Sequence, residues 1–244
     1  MVLPRFYCKT IGKTTAELAG TEAHHLAGVL RLKAGEKVEL FDGAGTVAVA
    51  AIKEIAKRQV TLKIEQVHRY PFRTTGRIII APGIAKGQRF DWLIEKCTEL
   101  RTDRICPVKF ERSVKQAANP KVLERWQNLV IAAAKQSRRI FLTKIDAPMP
   151  LFDVIEMLKK EYPQIQLIVG SLTPDASPLT GQLFGQTDVA TFIGPEGGFT
   201  EVEKALLKEK GAQFVRLTET VLRTETAALA FASVLCALRD VGTK

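Results

Sequence analysis

The stretch "TFIGPEGGFTEVE", Thr191 to Glu203, enters on apolar, strand-like residues, passes four glycines or prolines in five positions, and leaves on a helix start. Gly194, Gly197 and Gly198 give the backbone access to positive φ and to close approach by a ligand, while Pro195 stiffens the turn between them. Thr200 and Glu203 have the spacing of a capping box, so a helix is expected to begin immediately after the loop. A phosphate loop of the Walker type is excluded, because Phe199-Thr200 stands where a lysine and a hydroxyl residue are required, and the GxGxxG pattern is also absent. Alone, such a loop is compatible with a plain strand-to-helix connection; the rest of the chain decides what it holds.

The 244 residues, 46% of them hydrophobic, suit one large or two ordinary domains with real cores. The longest apolar run, 227–238 with one serine, falls short of the roughly 18 residues needed to span a bilayer, and the opening "MVLPRFYCKT" lacks the apolar centre of a secretory signal. Cys8, Cys97, Cys106 and Cys236 are scattered without CxxC spacing, which points to reduced structural thiols in a cytoplasmic protein. His24 and His25 adjoin with only His68 elsewhere, so no metal site is expected. Charge is uneven: residues 101–145 carry 11 Lys+Arg against 3 Asp+Glu, whereas residues 146–244 carry 9 against 13. Basic charge gathered in the first 145 residues is the footprint of a polyanion partner, nucleic acid first among them.

Two patterns divide the chain. Over residues 1–72, alternation at Val38 and Leu40, Val47 and Val49, and Val60, Leu62 and Ile64 describes short half-buried strands, with "FDGAG" and "AKRQ" as turns, and predicts a small β-barrel or sandwich. "PFRTTG" marks the boundary, and residues 73–244 read as strands alternating with helices, an α/β domain. There "RIIIAP", "RICPV", "QLIVGS", "DVATFIG" and "QFVRL" are the strands. Asn119 and Pro120 are placed as N-cap and first residue of a helix that carries a basic stripe of Lys121, Arg125, Lys135 and Arg139. The last helix, from about Thr224, contains "AALAFASVLCAL" and is apolar on every side; such a helix is expected to be buried all round, which favours a homodimer.

Ligands of open α/β sheets bind beyond the carboxyl ends of the strands. Three such ends carry suggestive residues: "VGSLTP" at 169–174, "IGPEGG" at 193–198 and "LTETVLRTETA" at 217–227. With "HHLAGVLRLKAGEKVELFDGAG", "KGQRFDWLIEKCTEL", "ERSV" and "LTPDAS", these segments resemble, in order and over nearly the whole chain, the 16S ribosomal RNA (uracil-N3)-methyltransferases, the RsmE family of the SPOUT class.

The resemblance implies a PUA-like RNA-binding β-barrel over 1–72 and, over 73–244, a SPOUT α/β methyltransferase domain tied in a deep C-terminal trefoil knot. It also implies a homodimer acting on 16S ribosomal RNA or the small ribosomal subunit, with S-adenosylmethionine as cofactor. Cofactor contacts would come from Leu172, from Ile193, Gly194, Pro195, Glu196, Gly197 and Gly198, and from Leu217, Val221, Leu222 and Thr226. A uracil N3 must lose its proton to become a good nucleophile; Glu225 is the first candidate to take it, Glu196 the rival, and Arg223 the candidate to stabilise charge on the flanking carbonyl oxygens. Arg31, Lys33, Lys86, Arg89, Arg112, Lys115, Arg138 and Arg139 form the expected phosphate-contacting set.

Relatives carry a glycine and an arginine where this chain has Thr218 and Thr220, and tend to glycine where it has Arg101 and Arg138. The alternatives are an RNA-binding assembly factor of the same fold without catalysis, and a SPOUT enzyme acting on another RNA atom such as a ribose oxygen.

Overall fold

The computed structural model describes residues 3–113, 119–179 and 186–241, and the chain divides into two compact units. The first comprises residues 1–72 together with 134–142. Its strands are β1 (Arg5–Tyr7), β2 (Thr15–Ala19), β3 (Lys37–Phe41), β4 (Thr46–Ile55) and β5 (Gln59–Arg69), with a short helix α1 (Gly20–His24) that runs on as one π-helical turn to Val29. They form one sheet in the order β1-β3-β4-β5-β2, antiparallel except for β1 beside β3. The alternation read from sequence is the mechanism: Val38, Leu40, Val60 and Leu62 turn to one side and close on Phe6, Leu18 and Leu26 in a fully enclosed core. "FDGAG" makes its turn through Asp42, whose Oδ1 accepts from the N–H groups of Ala44 (2.7 Å) and Thr46 (2.9 Å).

Residues 134–142 join this unit through specific bonds. Lys135 pairs with Glu22 at 2.7 Å, Arg138 with Glu39 at 3.2 Å, and Arg5 donates to the carbonyl of Arg139 at 2.7 Å.

The second unit covers 73–133 and 143–244. In chain order it runs β6 (Ile78–Pro82), α2 (Gln88–Glu99), β7 (Arg104–Ile105), β8 (Val108–Lys109), α3 (Pro120–Gln136, its last three residues grouped with the first unit), β9 (Lys144–Ile145) and β10 (Met149–Pro150). It continues with α4 (Leu151–Glu161), β11 (Gln166–Gly170), β12 (Ser177–Pro178), β13 (Val189–Ile193), α5 (Glu201–Glu209), β14 (Gln213–Arg216) and α6 (Thr224–Val241). Seven strands pair throughout in parallel, in the order β12-β14-β11-β13-β6-β7-β9, while β8 and β10 pair apart. Every residue of β6 and β13 is buried, as expected of central parallel strands covered on both faces.

Asn119 caps α3 as its sequence position suggests, accepting from the Val122 N–H at 3.0 Å. "RICPV" is not one strand: Cys106 and Pro107 separate β7 from β8, since proline cannot donate to a ladder. The last helix is covered on one face within the single chain. Ala228, Phe231, Ala232, Leu235 and Cys236 are buried, but Thr226, Ser233 and Ala237 lie exposed along the other side, so the single chain covers only one face of α6.

Candidate active site

β14, β11 and β13 are neighbours in the sheet, so their carboxyl ends deliver three consecutive loops to one edge. After β11, Ser171 and Thr173 share a hydroxyl contact of 2.9 Å, and the Thr173 N–H donates to Ser171 Oγ at 3.1 Å, which curls the loop over its own backbone. After β13, the Gly198 N–H returns to the Pro195 carbonyl at 2.8 Å, and Gly198 takes φ +68°, the left-handed conformation the sequence reserved for a glycine. The capping box is present in both directions: Glu203 N–H to Thr200 Oγ1 at 3.3 Å, and Thr200 N–H to Glu203 Oε2 at 2.8 Å. Beneath the loop, the Gly83 N–H donates to the Ile193 carbonyl at 2.8 Å, and a Cβ at Gly83 would stand 2.9 Å from the Pro195 nitrogen.

Together the loops enclose a cleft of about 660 Å³, within the range of sites for small organic ligands. Its wall takes in Leu172, Ile193, Gly194, Pro195, Glu196, Gly198, Leu217, Val221, Leu222 and Arg223, all expected from the sequence. Gly197, Thr226 and Glu225 are not on that wall. Glu225 is buried, 6% exposed, and its Oε2 finds no hydrogen-bond partner among the described residues. Glu196 is the one carboxylate of the wall among the described residues; it is exposed and pairs with Arg89 at 3.0 Å. Arg223 is exposed at the start of α6 and makes no ion pair among the described residues.

Sequence reasoning did not assign Gly170, Phe199, Val215 or Phe231 to the cleft, yet they line it. Gly170 is needed there for packing, since a Cβ would lie 2.8 Å from the Phe231 ring. The departures at 218 and 220 are also on the wall, where Thr218 Oγ1 donates to the Thr220 carbonyl at 2.9 Å. Thr218 is not among the residues with positive φ, so its side chain brings no left-handed strain.

The basic residues fall into separate places. Arg112 lines the cleft and donates to the Gly197 carbonyl at 3.1 Å; Lys86 is exposed just before α2. Arg31 and Lys33 are exposed on the first unit, where Arg138 also bonds to the Leu3 carbonyl and Arg139 to that of Phe141. Lys115 lies outside the described residues. On α3, Arg125 is paired with Asp91 at 2.9 Å, so the stripe is partly satisfied within the protein. Among the described residues no group of three or more His, Cys, Asp or Glu could hold a metal, and no helix is long and apolar enough to cross a membrane.

Comparisons with known proteins identify the family. Residues 73–236 match the family model described as an RNA methyltransferase domain, and residues 18–65 the one described as an RNA methyltransferase PUA domain. The ribosomal RNA small subunit methyltransferase E of a Synechocystis strain is 33% identical over 224 residues, 89% of this chain and 70% of that one. Its namesake from Mycobacterium bovis is 28% identical over 236 residues, 93% and 89% of the two chains. The crystal structure of a ribosomal RNA small subunit methyltransferase E from Neisseria gonorrhoeae bound to S-adenosyl methionine superposes with a TM-score of 0.85 at 30% identity, covering 97% of this chain and 98% of that one. The chain therefore belongs to the ribosomal RNA small subunit methyltransferase E family.

Proposed function

We propose that the protein is an S-adenosylmethionine-dependent methyltransferase of small-subunit ribosomal RNA, and that the atom methylated is N3 of a uridine. The observation that carries this reading is the convergence of the loops after β11, β13 and β14 on one apolar cleft with Arg223 and Glu196 on its wall. The wall fits the cofactor: Leu172, Ile193, Leu217, Val221 and Leu222 offer apolar surface to a nucleoside, and the 194–198 and 217–223 loops offer backbone donors and acceptors. When bound, S-adenosylmethionine supplies an electrophilic methyl group. The chain contributes orientation of the two reactants, which suits in-line transfer. The Arg223 guanidinium stabilises negative charge on the uracil oxygens flanking N3. The N3 proton goes to Glu196, because a general base must reach the proton it takes and Glu196 stands on the wall whereas Glu225 stands behind it. Glu225, adjacent to Thr224 in the first turn of α6, then shapes the loop.

The half-covered α6 supports a homodimer that buries Thr226, Ser233 and Ala237 against a second copy, and exposed Trp92 on α2 adds apolar surface to the same unit. The reading includes a deep trefoil knot in the second unit, a PUA-like RNA-binding first unit, a domain boundary near residue 72, and action in the cytoplasm. Arg31 and Lys33 in the first unit, and Lys86, Arg89 and Arg112 in the second, are assigned to phosphate contacts.

The test is incubation with S-adenosylmethionine carrying a labelled methyl group and unmodified small-subunit ribosomal RNA, followed by nucleoside digestion and mass spectrometry. Labelled 3-methyluridine is expected. Label on a ribose or on another base would move the protein to a different methylation chemistry, and cofactor and RNA binding without transfer would favour an assembly factor.

A further inference from the structure

The segment that leaves β8 is stitched to the glycine loop by contacts that methyl transfer does not itself require. Glu203 is 8% exposed, and while its Oε2 closes the capping box, its Oε1 accepts from the Glu111 N–H at 2.8 Å. The Phe110 and Phe199 rings meet edge to face with centroids 5.2 Å apart. Next after these two anchors, Arg112 Nη1 donates to the Gly197 carbonyl, and a Cβ at Gly197 would lie 3.0 Å from that of Arg112. The backbone leading into Arg112 is thus held, just beyond it the Ser113 N–H returns to the Phe110 carbonyl at 3.1 Å, and the approach is close because position 197 has no side chain.

Arg112 is exposed beside the cleft and makes no ion pair among the described residues. The two carboxylates on this loop near its acceptor each have another partner, Glu196 with Arg89 and Glu201 with Lys204. A guanidinium carries about five N–H donors in a rigid fork, so one bond to a carbonyl leaves the others for an anion.

Resting on the methyltransferase reading, we propose that Arg112 is a positioning residue that clasps the Gly197 carbonyl and an RNA backbone phosphate together, so that RNA engagement tightens the loop around the cofactor. By linkage, cofactor binding then strengthens RNA binding by the same factor. Lysine cannot replace it, because a single ammonium lacks two separated donor edges.

The experiment titrates the full chain with S-adenosylhomocysteine, which is not consumed, alone and with a saturating unmodified small-subunit ribosomal RNA transcript. For the wild type the RNA is expected to lower Kd about tenfold. In Arg112→Lys the RNA still binds and the melting temperature is unchanged, but the RNA effect falls within twofold. Gly197→Ala, which displaces the Arg112 stem, gives the same loss from the other partner. A full RNA effect surviving in Arg112→Lys, or no RNA effect in the wild type, overturns the proposal while leaving the methyltransferase reading in place. Failure of the wild type to bind the nucleoside with or without RNA instead overturns both.

Discussion

The Thr224 hydroxyl donates to the Gly194 carbonyl across 3.0 Å, fastening the first residue of α6 to the first residue of the glycine loop although 30 residues separate them. Two of the three loops of the cleft are therefore one mechanical piece. Thr224 is 4% exposed, so water is poorly placed to replace it. Thr224→Val keeps the shape and removes the donor; it is expected to cost about 1 to 2 kcal/mol in urea unfolding and to weaken S-adenosylhomocysteine binding in calorimetry. Unchanged binding would separate the bond from the function of the loop.

Arg223 projects from the same turn without an ion-pair partner among the described residues, as suits a group reserved for the substrate. Arg223→Ala is expected to lower kcat by about 10²-fold or more, with unaltered melting temperature and cofactor Kd. A change confined to KM for RNA would make Arg223 a binding residue and leave the oxygens of uracil without a stabiliser.

Arg101 and Arg138 occupy the position just past the caps of α2 and α3 with φ of +68° and +55°. In both cases the next two N–H groups fold back on the last turn: Arg101 to Thr98 and Thr102 to Cys97, then Arg138 to Lys135 and Arg139 to Ala134. This is the Schellman arrangement, which α5 makes with Gly211 at φ +78°. Side chains at such positions cost about 1 kcal/mol. Arg101→Gly is expected to raise stability by up to about that amount, since the exposed pair with Asp240 at 3.2 Å that it gives up is worth little. Denaturant midpoints of the two proteins decide it.

Burial pushes the Cys97 thiol from 9.0 up to about 12. The folded chain therefore favours the neutral thiol, while the unfolded chain begins to ionise near pH 9. This contribution is complete below pH 9 and is lost as pH rises towards 12, with a slope of at most about 1.4 kcal/mol per pH unit. Unfolding free energies of wild type and Cys97→Ala measured from pH 8 to 11 should converge; parallel curves would show that the thiol does not titrate between the two states. All four cysteines are buried and free, so thiol reagents should label the protein only as it unfolds.

The legible parts of this fold are those governed by neighbours in sequence. Asn119 and Pro120 announce α3, Thr200 and Glu203 announce α5, Asp42 with its glycines announces a turn, and the glycine loop points to its cleft. What escapes is set by distant partners. Residues 134–142 read as the end of a helix in the second domain, yet group with the first unit through Glu22, Glu39 and Arg5. Arg104, 2% exposed and paired with Asp146 and Glu161, reads only as part of a basic stretch. "ERSV" reads as a phosphate contact, whereas Glu111 and Arg112 are also bonded to the glycine loop, because nothing local says which loop the segment will meet. Glu225 stands two residues from Arg223 in sequence, but the helical turn carries it behind the wall.

Just past the end of β6, Gly83 meets the backbone and ring of Pro195 with no side chain of its own to act as a cushion. A side chain between two such surfaces would behave as a spacer of adjustable thickness. Its omission sets the height of the glycine loop above the sheet to one value, the way a shim left out of a joint sets its clearance. Depth of the cleft is thereby decided in part by Gly83, which is not on its wall, and a single methyl group added at position 83 would lift the loop without replacing any group on that wall.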